Sequence, residues 1–181
     1  MSTALLLGTS ACSGSSDKKA DAPKSSEAPG GAASGEPAGT KSSADAVLPD
    51  ITGAQVVTGL TGAGYKCGAE SSYAICTAGK VSVWVLTGTH PRPPVVSLHA
   101  MGPIEAATAD IAAKLPQVLE VAHINPRTEI TDWFGKLGGK APAVLTAGDW
   151  QVGWSTEVDT EEPGAHLTLE DKLCKVNCQA E

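Results

Sequence analysis

Residues 81–101 read VSVWVLTGTHPRPPVVSLHAM, and this stretch decides the fold. Val81, Val83 and Val85 share one side of an extended chain, and Ser82, Trp84 and Leu86 share the other, because successive side chains of a strand point to opposite faces. Apolar groups on both sides predict a central strand. His90-Pro91-Arg92-Pro93-Pro94 makes a rigid turn, since each proline fixes φ and removes a backbone donor. Val95 to Met101 predicts the next strand, with Val96, Leu98 and Ala100 on one face.

Upstream, Ala46 to Gly64 predicts a first helix. Thr52 is its N-cap, Val56, Val57 and Leu60 form an apolar stripe, and Gly62 and Gly64 are stop signals. Tyr65-Lys66-Cys67 enters a strand that pairs with Tyr73 to Thr77. Downstream, Ile104, Ile111, Leu115, Val118 and Leu119 recur at helical spacing through Ile124. Pro116 lies inside that run, so it predicts a kink or a fresh start. Asn125-Pro126 begins a further helix carrying Ile130, Trp133, Phe134 and Leu137, closed by Gly138-Gly139. Ala143 to Thr146 and Trp150 to Val158 flank a hairpin turn at Ala147-Gly148-Asp149, and His166 to Glu170 is a last strand. The expected order is α-β-β-β-α-α-β-β-β. Runs of strands joined by short turns imply one antiparallel sheet with helices packed on one face, an α+β domain.

The chain has 181 residues and a net charge of −7; residues 46–181 hold nine Lys and Arg against fifteen Asp and Glu. That balance disfavours a nucleic-acid partner, which needs a basic face. The five cysteines are Cys12, Cys67, Cys76, Cys174 and Cys178. With Cys12 set aside, four remain for two disulfides. Three connectivities are open, and local pairing, Cys67–Cys76 with Cys174–Cys178, is the simplest. Neither spacing suits a zinc site.

Three segments follow. Residues 1–11 contain Leu5-Leu6-Leu7 and the small residues Thr9, Ser10 and Ala11 ahead of Cys12. They read as the end of a lipoprotein signal peptide whose start lies upstream of Met1. Residues 12–45 begin with the candidate lipidated Cys12, and positions 13–45 lack Val, Leu, Ile and aromatics altogether. Such a segment cannot offset its ordering entropy by burial and is expected to act as a disordered tether, with a coil dimension of roughly 30 Å. Residues 46–181 form the globular domain.

The lipid-type Cys12, the tether, and a helix running into Gly64-Tyr65-Lys66-Cys67 with a second cysteine within ten residues resemble small uncharacterised lipoproteins of high-GC Gram-positive bacteria. The resemblance implies an exported protein, lipid-anchored on the outer face of the cell membrane. It implies no activity.

Chemical motifs are sparse. The chain has no HExxH, GxSxG, SxxK, Walker loop or GxGxxG, so no catalytic residue, metal ligand or cofactor is assigned. His90, His99, His123 and His166 are scattered over a turn, a strand, a helix end and another strand, which favours structural roles. Glu157, Asp159, Glu161 and Glu162 lack the calcium-loop pattern and read as a solvated strand end. Trp84, Trp150 and Trp154 are the candidate binding surface if the sheet exposes them. Because the chain has a single Phe, Trp150 and Trp154 are also the natural core aromatics. The leading expectation is a binding or interaction module for a cell-wall ligand or another envelope protein. The alternatives are a cell-wall hydrolase, and an inhibitor or structural partner of an envelope protein.

Overall fold

The computed structural model describes residues 46, 48–156 and 163–179. The chain divides into two units, 1–39 and 40–181, and every described residue belongs to the second. The signal segment, Cys12 and the whole of the tether therefore lie outside the described residues.

The second unit is an α+β domain built on one antiparallel sheet. Its elements are α1 (Gly53–Gly62), β1 (Lys66–Glu70), β2 (Tyr73–Ala78), β3 (Val81–Leu86), β4 (Val95–Met101), α2 (Ile104–Val121), α3 (Arg127–Leu137), β5 (Ala143–Ala147), β6 (Trp150–Ser155) and β7 (Gly164–Asp171). The expected order had three strands before the helix pair. There are four, one for each extended segment read there, because the segment entered at Tyr65-Lys66-Cys67 counts as a strand of its own: Lys66–Glu70 pairs along its whole length with β2. The strands lie in the order β1-β2-β3-β4-β7-β6-β5. β3 is interior, as its two apolar sides require, but β4 occupies the centre.

Local chemistry sets the helix ends. Thr52 caps α1 in a capping box: its hydroxyl accepts from the Gln55 N–H at 3.3 Å, and the Gln55 side chain accepts from the Thr52 N–H at 2.8 Å. This cap starts the helix at Gly53, later than the apolar pattern suggested. Pro116 neither breaks nor restarts α2. It sits on the exposed side of the helix, where water can satisfy the carbonyl that loses its partner. Gly138 ends α3 in the left-handed conformation, φ 56°, which a residue without Cβ adopts at little cost.

All three helices cover the same side of the sheet. α1 packs over β1, β2 and β3, α2 over β3, β4 and β7, and α3 lies beside α2 against β5. Val56, Leu60, Ile111, Leu115, Leu119, Ile130 and Phe134 face Val83, Val85, Val96, Leu98, Val152, Leu167 and Leu169, all buried. Gly59 lets α1 approach α2 closely, since a Cβ there would lie 2.7 Å from Val121 Cγ1. The disulfides are Cys67–Cys76, across the β1–β2 pair, and Cys174–Cys178, within the C-terminal loop.

The turn between β3 and β4 is pinned by a largely buried ion pair. Arg92 donates from Nε and Nη2 to the two Asp171 carboxylate oxygens at 2.8 and 2.5 Å. Asp149 and Asp50 lie at 3.6 and 3.7 Å from Nη1, and the guanidinium sits 5.3 Å above the Trp150 ring. Burial would raise the Asp171 pKa, but the Arg92 bonds and charge and the Leu173 and Cys174 N–H groups outweigh it, so the carboxyl is held below its usual value. One side chain thus joins the turn, the β5–β6 hairpin, the end of β7 and the segment before α1. Removing one partner of such a pair strands the other charge. Arg92→Ala is expected to lower the unfolding free energy by about 3 kcal/mol, read by urea denaturation. A loss no larger than that of an exposed-charge variant would show that the pin contributes nothing.

Candidate functional site

The face of the sheet opposite the helices carries no covering element among the described residues. Alternation places on it the side chains that the core does not take: Ser82 and Trp84 from β3, Ser97 and His99 from β4, His166 and Thr168 from β7. Strand register then assembles them into rows. Thr77, Ser82, His99, His166 and Ser155 are successive partners across five strands, and Ile75, Trp84, Ser97, Thr168 and Gly153 form the adjacent row.

A continuous ladder of rings crosses these rows. Tyr73 meets Trp84 edge-on with centroids 5.9 Å apart, Trp84 tilts onto His99 at 4.9 Å, and His99 stacks on His166 at 4.0 Å and 22°. The indole N–H donates to Ser82 Oγ at 3.2 Å. Each imidazole Nε2 is bonded to a hydroxyl two residues away on its own strand, Ser97 at 3.2 Å and Thr168 at 2.9 Å.

Beside the ladder a groove of about 410 Å³ runs along β4, within the range of small-molecule sites. Its floor is Val95 and Ser97, both buried. Tyr73 and Trp84 stand on one side, with Thr168, Glu170 and Gln179 on the other. β3 and β7 lie two strand spacings apart, about 10 Å, so the groove is one ring or one extended chain wide.

The two histidines are held neutral. Burial, then the neighbouring His166, pushes His99 down to about 3, and burial lowers His166. Burial, then the Glu170 carboxylate, raises the Tyr73 phenol.

The structure separates the tryptophans proposed as a binding surface. Only Trp84 lies on the open face. Trp150 and Trp154 are 3 % and 2 % exposed and point to the helix side, which corrects their assignment to that surface. Trp154 meets Phe134 edge-on at 4.9 Å, and Trp150 lies under Arg92. They fill the core because the chain has so few other large aromatics.

His99 and His166, expected to be isolated structural residues, are brought together. The signal was present as a mirror: Ser97-Leu98-His99 and His166-Leu167-Thr168 superpose residue on residue when the strands run antiparallel. His123 accepts a turn position instead, with φ 54° and Nδ1 2.6 Å from the Pro49 carbonyl oxygen. His90 lies in the β3–β4 turn. The acidic stretch Glu157, Asp159, Glu161 and Glu162 lies outside the described residues.

Other cavities carry less chemistry, among them one of about 510 Å³ at Lys80, Met101, Gly102 and Pro163. One of about 420 Å³ surrounds Arg92 and includes Asp50, His123, Asn125 and Asp149, but its cation is already shared among carboxylates. One of about 390 Å³ between α2 and α3 is lined mostly by Ala109, Ala112, Gly135, Gly138 and Phe134. Among the described residues no three His, Cys, Asp or Glu side chains gather as a metal site, and no helix is long and apolar enough to cross a membrane. No family model, curated protein or solved structure matches the chain.

The neutral histidines make a pH prediction. The unfolded chain takes up protons near pH 6.5, whereas the folded chain resists them until much lower pH. Stability from this source is complete above about pH 6.5 and is lost progressively as pH falls toward about 3, where His99 takes its proton. Between about pH 6.5 and 5, above the carboxylate range, unfolding free energy should fall with pH by up to about 1.4 kcal/mol per pH unit from His99, and burial of His166 adds to the fall in the same direction. His99→Gln/His166→Gln should flatten that slope in denaturant titrations. An unchanged slope would sink the assignment.

Proposed function

We propose that this chain is a binding module held on the outer face of the cell membrane by a lipid on Cys12, and that its open sheet face is the binding surface. The observation that carries the proposal is the ring ladder from Tyr73 to His166 with its groove, on the one face the helices leave uncovered. Polar side chains alone would keep such a face solvated; this one presents aromatic surface beside hydrogen-bonding groups, the composition of a binding surface. Two disulfides favour an oxidising compartment. The apolar-free segment 13–45 suits a tether. A cell-wall glycosidase of the usual kind would need two carboxyl groups across one cleft, and among the described residues the groove lining holds one, Glu170.

Two measurements test the two parts. Expressed in a Gram-positive host from its own upstream region, the protein should fractionate with membranes, and Cys12→Ala should release it. Without reductant, alkylation should leave Cys67, Cys76, Cys174 and Cys178 unlabelled. A Cys12→Ala form that stays in the membrane overturns the anchor. A photoreactive benzoylphenylalanine at Glu170, on the groove rim, should form mass-shifted adducts on intact cells, while the same group at Glu120, exposed on α2, should not. Adducts absent at Glu170, or equal at the two positions, overturn the open face as the binding surface.

A further inference from the structure

We infer that the groove along β4 takes a neutral carbohydrate, held by hydrogen bonds to its hydroxyl groups and by its C–H surface against the Tyr73–Trp84 side. This rests on the open face being the binding surface, and it adds the class of ligand.

The argument starts from what the lining can donate and accept. The Tyr73, Ser97 and Thr168 hydroxyls and the Gln179 amide each offer a donor and an acceptor. The neutral imidazoles bond through Nε2 to the Ser97 and Thr168 hydroxyls, and a hydroxyl with one such bond still has hydrogen-bonding capacity for a ligand. Such a lining complements a ligand whose own groups both donate and accept, which is the property of a hydroxyl. Anionic groups need fixed cations or clustered N–H donors, and among the described residues the groove is lined by no Lys or Arg. The low proton affinity of His99 and His166 keeps them from supplying one near neutral pH.

Glu170 is the single lining carboxylate among the described residues and sits exposed on the rim. It can accept from a ligand hydroxyl and repels a ligand carboxylate or phosphate. One carboxylate is a thin complement for a polycation, whereas the remaining polar atoms are uncharged. Aromatic surface beside hydrogen-bonding groups then suits a ring that is apolar on its face and polar around its edge. The width of about 10 Å between β3 and β7 admits a single pyranose ring and lets a chain of them run along β4.

The test uses the full chain carrying Cys12→Ala, with four probes: tetra-N-acetylchitotetraose and mannotetraose as neutral glycans, a hyaluronan tetrasaccharide as an anionic one, and tetralysine as a cationic peptide. NMR reports the Trp84 indole N–H and the His99 and His166 ring signals. At least one neutral glycan should shift these with a Kd of about 1 mM or tighter, and hyaluronan should not. Trp84→Ala should weaken binding about tenfold. Glu170→Gln, on an exposed side chain that the fold does not need, should weaken it about threefold. Shifts with tetralysine alone, or tighter hyaluronan binding, overturn the inference in favour of a charged ligand. No shift with any probe while Glu170 cross-links persist on cells overturns the carbohydrate and leaves the binding surface standing. Loss of both overturns the surface too.

Discussion

A seven-stranded sheet has two faces, and among the described residues there are helices for one. That constraint shapes the rest of the molecule. The helix side can be wholly apolar, and Val, Leu, Ile and two tryptophans make it so. The other side must tolerate water without losing the strand-forming residues that hold the sheet together. At the flanks it does so with Thr77, Ser82, Gln151 and Ser155. In the middle it does so by packing rings against one another: Trp84 covers Ser82 and leans on His99, which stacks on His166. Each ring loses solvent to its neighbour, so a half-apolar row is stable without a second layer above it.

The same topology explains why the ladder needs distant parts of the chain. β4 and β7 are neighbours in the sheet but are separated in sequence by both α2 and α3 and the β5–β6 hairpin. Their alignment brings Ser97 opposite Thr168 and His99 opposite His166. Arg92 reinforces that alignment from one end, because its turn leads into β4 and its carboxylate partner Asp171 ends β7. The Asp171 N–H also donates to the Pro94 carbonyl at 2.8 Å. A slip of one residue between these strands would send the histidines into the core and separate the ion pair. The buried charge and the open-face rings therefore depend on one register.

Periodicity made the elements legible. The alternation in Val81–Leu86, the Thr52 cap and the Gly138 stop each act within a few residues, so they can be read without a partner. Spacing also put Trp150, Val152 and Trp154 on one side of a strand, yet it could not say which side meets the helices. That choice belongs to the whole sheet: Val152 opposes Leu169 and Trp154 opposes Leu167, and those leucines face α2. The histidine pair was hidden for the same reason. Four histidines spread over the chain look isolated until β4 is laid against β7, and only the mirrored Ser-Leu-His and His-Leu-Thr triplets hint at it. The disulfides fell between these cases. Local pairing was the simplest of three choices, and the β1–β2 register, which places Cys67 opposite Cys76, is what selects it.

The proposed anchor and the proposed ligand also support each other energetically. A shallow groove with mostly uncharged hydrogen bonds is suited to weak, reversible contacts, since each bond to a ligand replaces one to water and gains little. A freely diffusing protein with such a site would be mostly unbound at ordinary ligand concentrations. The proposed anchor would change that balance: a tether of the length of 13–45 would confine the domain to a layer a few nanometres deep, where a surface polymer of repeating units would present many copies of the proposed ligand. Effective concentrations in such a layer reach the millimolar range, which matches a site of millimolar affinity. On this reading the domain needs neither a deep pocket nor a strong charge.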